Sequence, residues 1–219
     1  MKQLKILVIG SLAALVTPVA FAGPIFFDFS NVTGSDSHVS SYSQTVGGVT
    51  ATITGWGYNG SSGPNGTSYD VYLDDGGNMD GIGVYSGYGD ADDLDGWGVD
   101  EMLLIEFDML VTMTDIRFLD GDHNYSFSSG DDFDLWAGGS MAFNETGIEA
   151  NDINGWVSTG NLTASSFWLG ADGGNDTFYL QGINVNASSD PQVPEPGLLA
   201  LMGLGLFGMG ISRRKKKTA

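Results

Sequence analysis

Between residues 23 and 190 the sequence has no long run with helical periodicity. Apolar residues alternate with polar ones over short runs, and glycine, aspartate, asparagine and serine separate these runs. Val49, Ala51 and Ile53 alternate with threonines, which is the period of a half-buried strand. Further strands are predicted at 24–29, 69–73, 81–85, 132–136, 165–169 and 177–185. The chain is therefore expected to be all-β.

Two features refine this expectation. Residues 101–107 and 111–118 are both strand-like and lie close in sequence, so they are predicted to pair as a hairpin. Gly182 interrupts the alternation of the last predicted strand, which predicts a bulge there. Repeated short strands with turn signals between them favour an antiparallel β-sandwich of jelly-roll type.

Length and composition restrict the class of protein further. A chain of 219 residues provides one domain of ordinary size plus accessory segments. Its 42% hydrophobic residues are too many for a disordered linker, although 34 residues are glycine. The absence of cysteine excludes disulfides, thiol nucleophiles and the common structural zinc sites.

The basic residues lie almost entirely at the two ends of the chain. Residues 23–190 hold 26 carboxylates against one cation, Arg117, which gives this stretch a formal charge of −25. Such a surface repels nucleic-acid phosphates, so nucleic-acid binding is excluded. It also repels anionic lipid and anionic polysaccharide unless divalent cations intervene. Arg117 itself is expected to form a partly buried ion pair with a nearby carboxylate.

The first 22 residues are typical of a secretory signal peptide. Lys2 and Lys5 precede a mostly apolar run at 6–16, which is expected to be helical and is too short to span a bilayer. Ala20 and Ala22 then supply the small-x-small pattern that signal peptidase cleaves. The exported domain is therefore predicted to span residues 23–190.

Residues 191–219 are arranged as a sorting tail in three parts. An apolar run at 198–211 is predicted to form a single membrane helix, and its shortness suits a segment held only until processing. The basic cluster after it halts export and stays cytoplasmic by the positive-inside rule. The motif before the helix is Val193, Pro194, Glu195, Pro196 and Gly197, and the basic end is Arg213, Arg214, Lys215, Lys216 and Lys217.

This tail resembles the PEP-CTERM sorting signal of Gram-negative bacteria, and Pro194, Glu195 and Pro196 are the positions that match. The resemblance implies processing by an exosortase-like membrane enzyme, after the export machinery and signal peptidase have acted. It also implies export to the cell surface or extracellular matrix, commonly in bacteria that make exopolysaccharide and biofilm. The acidic turn running into a strand at 100–104 is similar to that of many PEP-CTERM cargo domains.

The acidic residues crowd into predicted loops, which makes calcium a candidate cofactor because calcium takes six to eight oxygen ligands. The spacing does not fit an EF-hand, since positions one and twelve would be Ala91 and Met102. Irregular calcium sites and a merely solubilising acidic surface therefore both stay open. The candidate ligands are Asp90, Asp92, Asp93, Asp95, Asp120 and Asp122.

Five tryptophans suggest an alternative role as a carbohydrate-binding module. Trp56, Trp97 and Trp156 each follow a glycine, as aromatic residues on a binding rim would. Trp136 and Trp168 lie within predicted strands and are expected in the core. The opposing interpretation of the three glycine-flanked tryptophans is that they fill the ends of the sandwich.

Catalysis fits the sequence least well. His38 and His123 lack a metal-ligand partner at helical spacing, and no nucleophile elbow or phosphate-binding glycine loop occurs. His123 is expected in a turn. A carboxylate pair for glycoside hydrolysis is the third functional option, but such a pair is defined by a distance that sequence does not supply.

The expected function is therefore non-enzymatic. The sequence predicts a protein exported through the inner membrane to the cell surface, with a transient C-terminal anchor. There it would be structural or adhesive in an extracellular polysaccharide matrix, with polysaccharide as a partner.

Overall fold

A computed structural model of the chain describes residues 23–32, 36–58, 63–75, 79–87, 92–148, 154–171, 173–174 and 176–188. Residues Ala22–Ser188 form one compact unit. Its strands are β1 (Ile25–Asp28), β2 (Ser37–Val39), β3 (Tyr42–Val46), β4 (Val49–Tyr58), β5 (Pro64–Asp74), β6 (Gly81–Tyr85), β7 (Leu94–Asp95), β8 (Glu101–Asp120), β9 (Asp132–Ala137), β10 (Ser140–Gly147), β11 (Trp156–Ala171) and β12 (Thr177–Ala187).

All twelve strands belong to one antiparallel sheet. Its main order is β1-β12-β6-β5-β4-β8-β11-β9-β10, with β2 paired to β5, β3 to β4 and β7 to β12. Because β12 also pairs with β8, the strands β12, β6, β5, β4 and β8 form a closed cycle of neighbours. The all-β, antiparallel prediction is confirmed for the described residues.

The two runs expected to form a hairpin are instead one continuous strand, β8. Its first part pairs with β4 and its second part with β12, while β11 pairs with both parts along the other edge. Ala164 of β11 faces Val111 of β8, but Ser166 already faces Glu106, so β8 bulges between these two positions. The hairpin prediction was wrong because a bulge and a turn interrupt the two-residue period in the same way.

The alternation in β4 has the predicted effect. Val49, Ala51 and Ile53 are buried, and the threonines between them are half-buried. Because successive side chains of a strand point to opposite faces, the threonine face is free to pair with neighbouring hydroxyls. The hydroxyl oxygens of Thr45 and Thr50 are hydrogen-bonded at 3.0 Å across the β3–β4 hairpin.

Gly182 lies at the predicted irregularity of β12. The register against β8 shifts between Leu180 and Gly182, which confirms the bulge. A Cβ atom at Gly182 would lie 2.7 Å from the Phe26 ring and 3.1 Å from the Phe27 carbonyl oxygen. Glycine is therefore required here by the close approach of β1.

Phenylalanine rings connect the strands of the core. The ring of Phe107 in β8 packs edge to face on the rings of Phe27 in β1 and Phe167 in β11. The distances between ring centroids are 5.5 Å and 6.0 Å. Phe118 contacts Phe178 of β12 at 5.1 Å in the same geometry. Edge-to-face pairs are a favoured arrangement of aromatic rings, so these contacts add to the stabilisation from burial.

Several predictions fall outside the described part of the chain. The signal peptide, with Ala20 and Ala22, lies there, as do the sorting motif, the predicted membrane helix and the basic end. Within the described residues the structure contains no helix able to cross a membrane. The strand pairings establish a sheet fold, and the jelly-roll arrangement stays a prediction.

Candidate functional site

Strand pairing brings the two acidic loops together. Leu94 of β7 pairs with Phe178 of β12, and Phe178 pairs on its other side with Asp120 of β8. The loop that carries Asp93 and the end of β8 that carries Asp120 therefore lie beside the same end of β12. A Cβ atom at Gly121 would lie only 2.6 Å from Asp93 Oδ2, so the two segments are in contact.

His123 joins this site from the turn after β8. Its Nε2 lies 2.8 Å from Asp74 Oδ2 at the end of β5, and its ring lies 5.3 Å from the Tyr179 ring. The residue has a positive φ of 59°, so it sits in a turn, as predicted. We name Asp74, Asp80, Asp93, Asp120 and His123 the acidic cluster.

The carboxylates of the acidic cluster are buried, and their environment opposes ionisation. Asp74, Asp80, Asp93 and Asp120 are each at most 7% exposed. Burial raises the pKa of Asp80, and the negative charges of Asp75 and Asp74 raise it further. Burial likewise raises the pKa of Asp120, although the backbone N–H of Asp122 donates to it across 2.8 Å and lowers the pKa.

The pKa values of two buried tyrosines are raised by burial and by the same aspartate charges. Burial raises the pKa of Tyr179, and the charges of Asp93 and Asp74 add to the effect. Burial and the charge of Asp36 raise the pKa of Tyr72. Both hydroxyls therefore stay protonated and cannot serve as bases at neutral pH.

The candidate metal ligands are distributed as follows. Asp93, Asp95 and Asp120 are buried, Asp92 is half-buried with a φ of 69°, and Asp122 is exposed. Asp90 lies outside the described residues. Within the described ranges no three His, Asp or Glu side chains form a ready metal-binding group. Asp95 instead accepts the backbone N–H of Trp97 at 2.8 Å.

Sequence reasoning missed the contribution of Asp80 and His123 to this site. No role is predicted for Asp80 from the sequence, and His123 is predicted only to lie in a turn. Their juxtaposition depends on β5 pairing with β6, β6 with β12 and β12 with β8, and local patterns do not encode these pairings. Glu101, at the start of β8, is completely buried, and the sequence pattern did not predict it as a core residue.

Arg117 does not form the expected ion pair within the described residues. Its Nε donates to the Asn154 carbonyl at 2.9 Å, and its Nη2 donates to the Tyr125 hydroxyl at 2.5 Å. The guanidinium also lies 5.0 Å from the Tyr125 ring and 5.7 Å from the Trp156 ring. Aromatic faces and neutral oxygens therefore surround this cation, as guanidinium chemistry allows.

The three glycine-flanked tryptophans occupy different environments. Trp97 is 79% exposed. Trp56 is half-buried, packs edge to face on Trp168 at 5.8 Å, and donates from Nε1 to Thr54 Oγ1 at 2.9 Å. Trp156 is half-buried against Phe26 at 5.5 Å. No ring contact joins the three tryptophans in the described part of the chain.

The two tryptophans expected in the core differ slightly. Trp136 is 8% exposed and belongs to a buried cluster with Tyr58 and Met102, as predicted. Trp168 is half-buried and packs against the same cluster. The core assignment is therefore confirmed for Trp136 and holds for only part of the Trp168 side chain.

Other buried acids act as backbone anchors. Asp134 Oδ2 accepts a hydrogen bond from the Tyr58 hydroxyl, and its Oδ1 accepts one from the Glu145 N–H at 2.6 Å. Asp176 accepts the N–H groups of Asp132 at 3.0 Å and Gly173 at 2.7 Å. Such bonds stabilise a buried carboxylate, so these residues organise turns and strand ends.

Comparison with known proteins identifies the tail. A family model described as the PEP-CTERM protein-sorting motif matches residues 192–215. No curated protein and no solved structure matches the chain. The motif implies an extracellular destination and processing by exosortase, a membrane enzyme. The chain is thus an exported protein that carries a C-terminal PEP-CTERM sorting signal.

Proposed function

We propose that the exported domain is a non-enzymatic structural or adhesive protein of the cell surface, embedded in an exopolysaccharide or biofilm matrix. The observation that carries the proposal is the sorting motif at 192–215 behind a domain of formal charge −25. A highly acidic surface associates with anionic polymer only through bridging cations. Calcium is therefore proposed as the bridging and stabilising ion.

The acidic cluster supports a role for calcium. Several buried carboxylates repel one another there, and burial raises the pKa of Asp80 and Asp120. A divalent cation nearby would relieve this repulsion and offset part of the desolvation cost. Asp93 contacts Gly121, the residue after Asp120, and carboxylate oxygens such as those of Asp93 and Asp120 are of the ligand type that calcium prefers.

Localisation is tested by changing the motif. The full-length protein and a variant with Pro194, Glu195 and Pro196 all replaced by alanine are expressed in a bacterium that has an exosortase. The native protein is expected in the surface and matrix fractions, and the variant in the membrane fraction. An EDTA wash is expected to release the native protein from the matrix. Native protein that stays in the membrane fraction would contradict the proposal.

Calcium is tested by calorimetry of the full-length protein in detergent, first with EDTA and then with millimolar calcium. A site saturated a hundredfold above its dissociation constant adds ~2.7 kcal/mol to the free energy of unfolding. For a domain of this size that raises the melting temperature by several degrees. Asp93→Asn is expected to reduce the rise, whereas Asp115→Asn, outside the acidic cluster, leaves it unchanged. An identical melt in both buffers would exclude the calcium site.

A carbohydrate-binding role is the second candidate, and the exposure of Trp97 favours it. The Asp95 carboxylate accepts a hydrogen bond from the backbone N–H of Trp97, and Gly98 follows with a φ of 93°. A defined turn therefore exposes the indole ring of Trp97 to solvent. Soluble oligosaccharide is expected to quench the emission of Trp97 if the ring binds sugar. The variant Trp97→Phe would abolish that quenching, and an unchanged signal in the native protein would argue against this candidate.

A further inference from the structure

An open groove of about 340 Å³ lies where β5 changes its neighbours. Along one edge, β4 pairs with β5 as far as Tyr69, and β2 pairs with β5 from Val71 onwards. Along the other edge, β6 ends at Tyr85, opposite Asp70. Because β2 and β6 end at the same level of β5, the sheet leaves a depression there. The depression therefore follows from the strand order.

The lining combines aromatic rings with hydroxyl and carboxylate oxygens. Asp70 and Tyr85 face each other directly across β5 and β6, so their side chains lie on the same face of the sheet. The lining residues are Ser40, Ser68, Tyr69, Asp70, Tyr85 and Ser86. The volume lies within the range of about 300–1,000 Å³ that is usual for small-molecule sites.

One aromatic wall of the groove is held in place before any ligand arrives. The His38 ring packs edge to face on Tyr85 at 4.1 Å and on Tyr72 at 5.3 Å. Tyr85 also packs against the buried cluster of Tyr72, Leu119 and Tyr179. A ring fixed in this way loses little conformational entropy when a ligand binds.

The chemistry of the lining selects a class of ligand. None of the lining residues that the structure describes is lysine or arginine, and Asp70 is acidic, so phosphate and other anions are repelled. Ser40, Ser68 and Asp70 would lose hydrogen bonds to water beneath a purely apolar ligand. A sugar ring fits both requirements, because it presents a C–H face to a tyrosine ring and hydroxyl groups to serine and carboxylate oxygens.

We propose that this groove binds a neutral saccharide unit of the surrounding polymer, with Tyr85 as the stacking platform and Asp70 as the hydroxyl acceptor. The inference rests on the proposed role in an exopolysaccharide matrix and names the partner of that role. It places the sugar at β5 and β6 and not at the exposed Trp97. Ser40, which follows β2, and Ser68 of β5 supply further hydroxyl groups.

The test uses the full-length protein in detergent and titration calorimetry. The probes are cellohexaose, maltohexaose and mannohexaose, with an alginate hexamer as the anionic control. In buffer with EDTA, where no calcium can bridge anionic groups, at least one neutral probe is expected to bind and the alginate hexamer is not. Tyr85→Ala is expected to weaken binding by about tenfold or more, the usual effect of removing a central aromatic contact. Asp70→Asn is expected to weaken it less, and Trp97→Ala to leave it unchanged.

Three results would overturn the proposal. These are no binding of any neutral probe, loss of binding in Trp97→Ala alone, and equal binding by native protein and Tyr85→Ala. Unchanged melting of each variant shows that a loss of binding is not a loss of fold. Matrix retention in the fractionation experiment is measured independently. If no neutral saccharide binds the groove but the protein is still retained in the matrix, only the groove proposal is contradicted and the proposed function is not.

Discussion

Arg117 Nη2 lies 2.5 Å from the Tyr125 hydroxyl oxygen, which in turn lies 2.6 Å from Gln181 Oε1. Gln181 Nε2 continues the chain by donating to the Asp80 carbonyl oxygen at 3.2 Å. The sole cation of residues 23–190 is thus connected through neutral groups to the segment that carries the acidic cluster. This network links β8 and β12 to the loop before β6.

Replacing Arg117 by alanine should reduce the free energy of unfolding by about 1.5–3 kcal/mol, since hydrogen bonds to a charged group are lost. Arg117→Lys should recover only part of this stability, because an ammonium group cannot donate in the same planar geometry. Urea unfolding of the native protein and both variants measures the difference. A loss below about 0.5 kcal/mol for Arg117→Ala would show that the contacts contribute no more than ordinary surface contacts do.

Tyr125→Phe provides the complementary measurement on the same network. It removes one hydroxyl and leaves both Arg117 Nη2 and Gln181 Oε1 without that partner. A loss of about 1–3 kcal/mol is expected, the usual result when buried polar groups lose a hydrogen-bond partner. An additive loss in the Arg117→Ala, Tyr125→Phe double variant would show that the two residues act independently.

Gly155 and Gly160 form a matched pair for testing close backbone approach. Both adopt a left-handed backbone conformation, with φ of 72° and 67°. A Cβ atom at Gly155 would lie 2.0 Å from the Phe118 carbonyl oxygen, whereas one at Gly160 meets nothing within 4 Å. Gly160→Ala should therefore cost about 1 kcal/mol from backbone strain alone. Gly155→Ala should cost clearly more or prevent folding.

Thermal unfolding followed by circular dichroism compares the two glycine variants. The β8–β11 pairing near Gly155 carries the backbone bond from the Phe118 N–H to the Gly155 carbonyl, at 2.8 Å, so displacement there disturbs the sheet directly. Equal losses in the two variants would contradict the close approach of the two strands.

The buried hydrogen bond between Tyr58 and Asp134 predicts a separate effect on stability. Tyr58→Phe should reduce stability by about 1.5–3 kcal/mol, because the Asp134 carboxylate loses a buried donor. Tyr42→Phe is the control, since its hydroxyl makes no hydrogen bond to any residue that the structure describes. Denaturant titration measures both variants, and equal small losses would contradict the importance of the bond.

The raised aspartate pKa values predict the direction of the pH dependence. Burial raises the pKa of Asp80, Asp100, Asp120 and Asp131 in the folded state. Between the unfolded and folded pKa values the folded protein binds more protons, so its stability falls as pH rises through that window. The melting temperature should therefore increase when pH is lowered from 7 towards the acidic range, until the unfolded chain also becomes protonated.

Asp120→Asn tests this pH dependence at one position. The amide keeps an oxygen that can accept the Asp122 N–H but carries no charge. The variant should therefore be more stable than the native protein at pH 7 and change less with pH. A gain of about 1 kcal/mol would raise the melting temperature by ~2–4 °C in a domain of this size. Greater stability of the native protein at pH 7 than at pH 5 would contradict the prediction.

Local patterns were sufficient to locate many strands. The structure contains β6 at Gly81–Tyr85, where the sequence predicted 81–85, and the register shift at Gly182 lies where the alternation breaks. These features depend on the order of residues within a few positions, because side-chain direction in a strand repeats every two residues. The sorting motif is likewise local, and a family model matches it at 192–215.

The partners of strands and charges were decided by tertiary structure. Nothing near Leu110 shows that β8 continues through a bulge and exchanges β4 for β12, because that depends on strands distant in sequence. The surroundings of Arg117 have the same origin, since Tyr125 and Trp156 reach it from different segments. Sequence alone determined the strand periodicity, the charge of the domain and its sorting tail. Only long-range pairing decided which acids are buried together, because the energy of a buried charge depends on neighbours that the fold supplies.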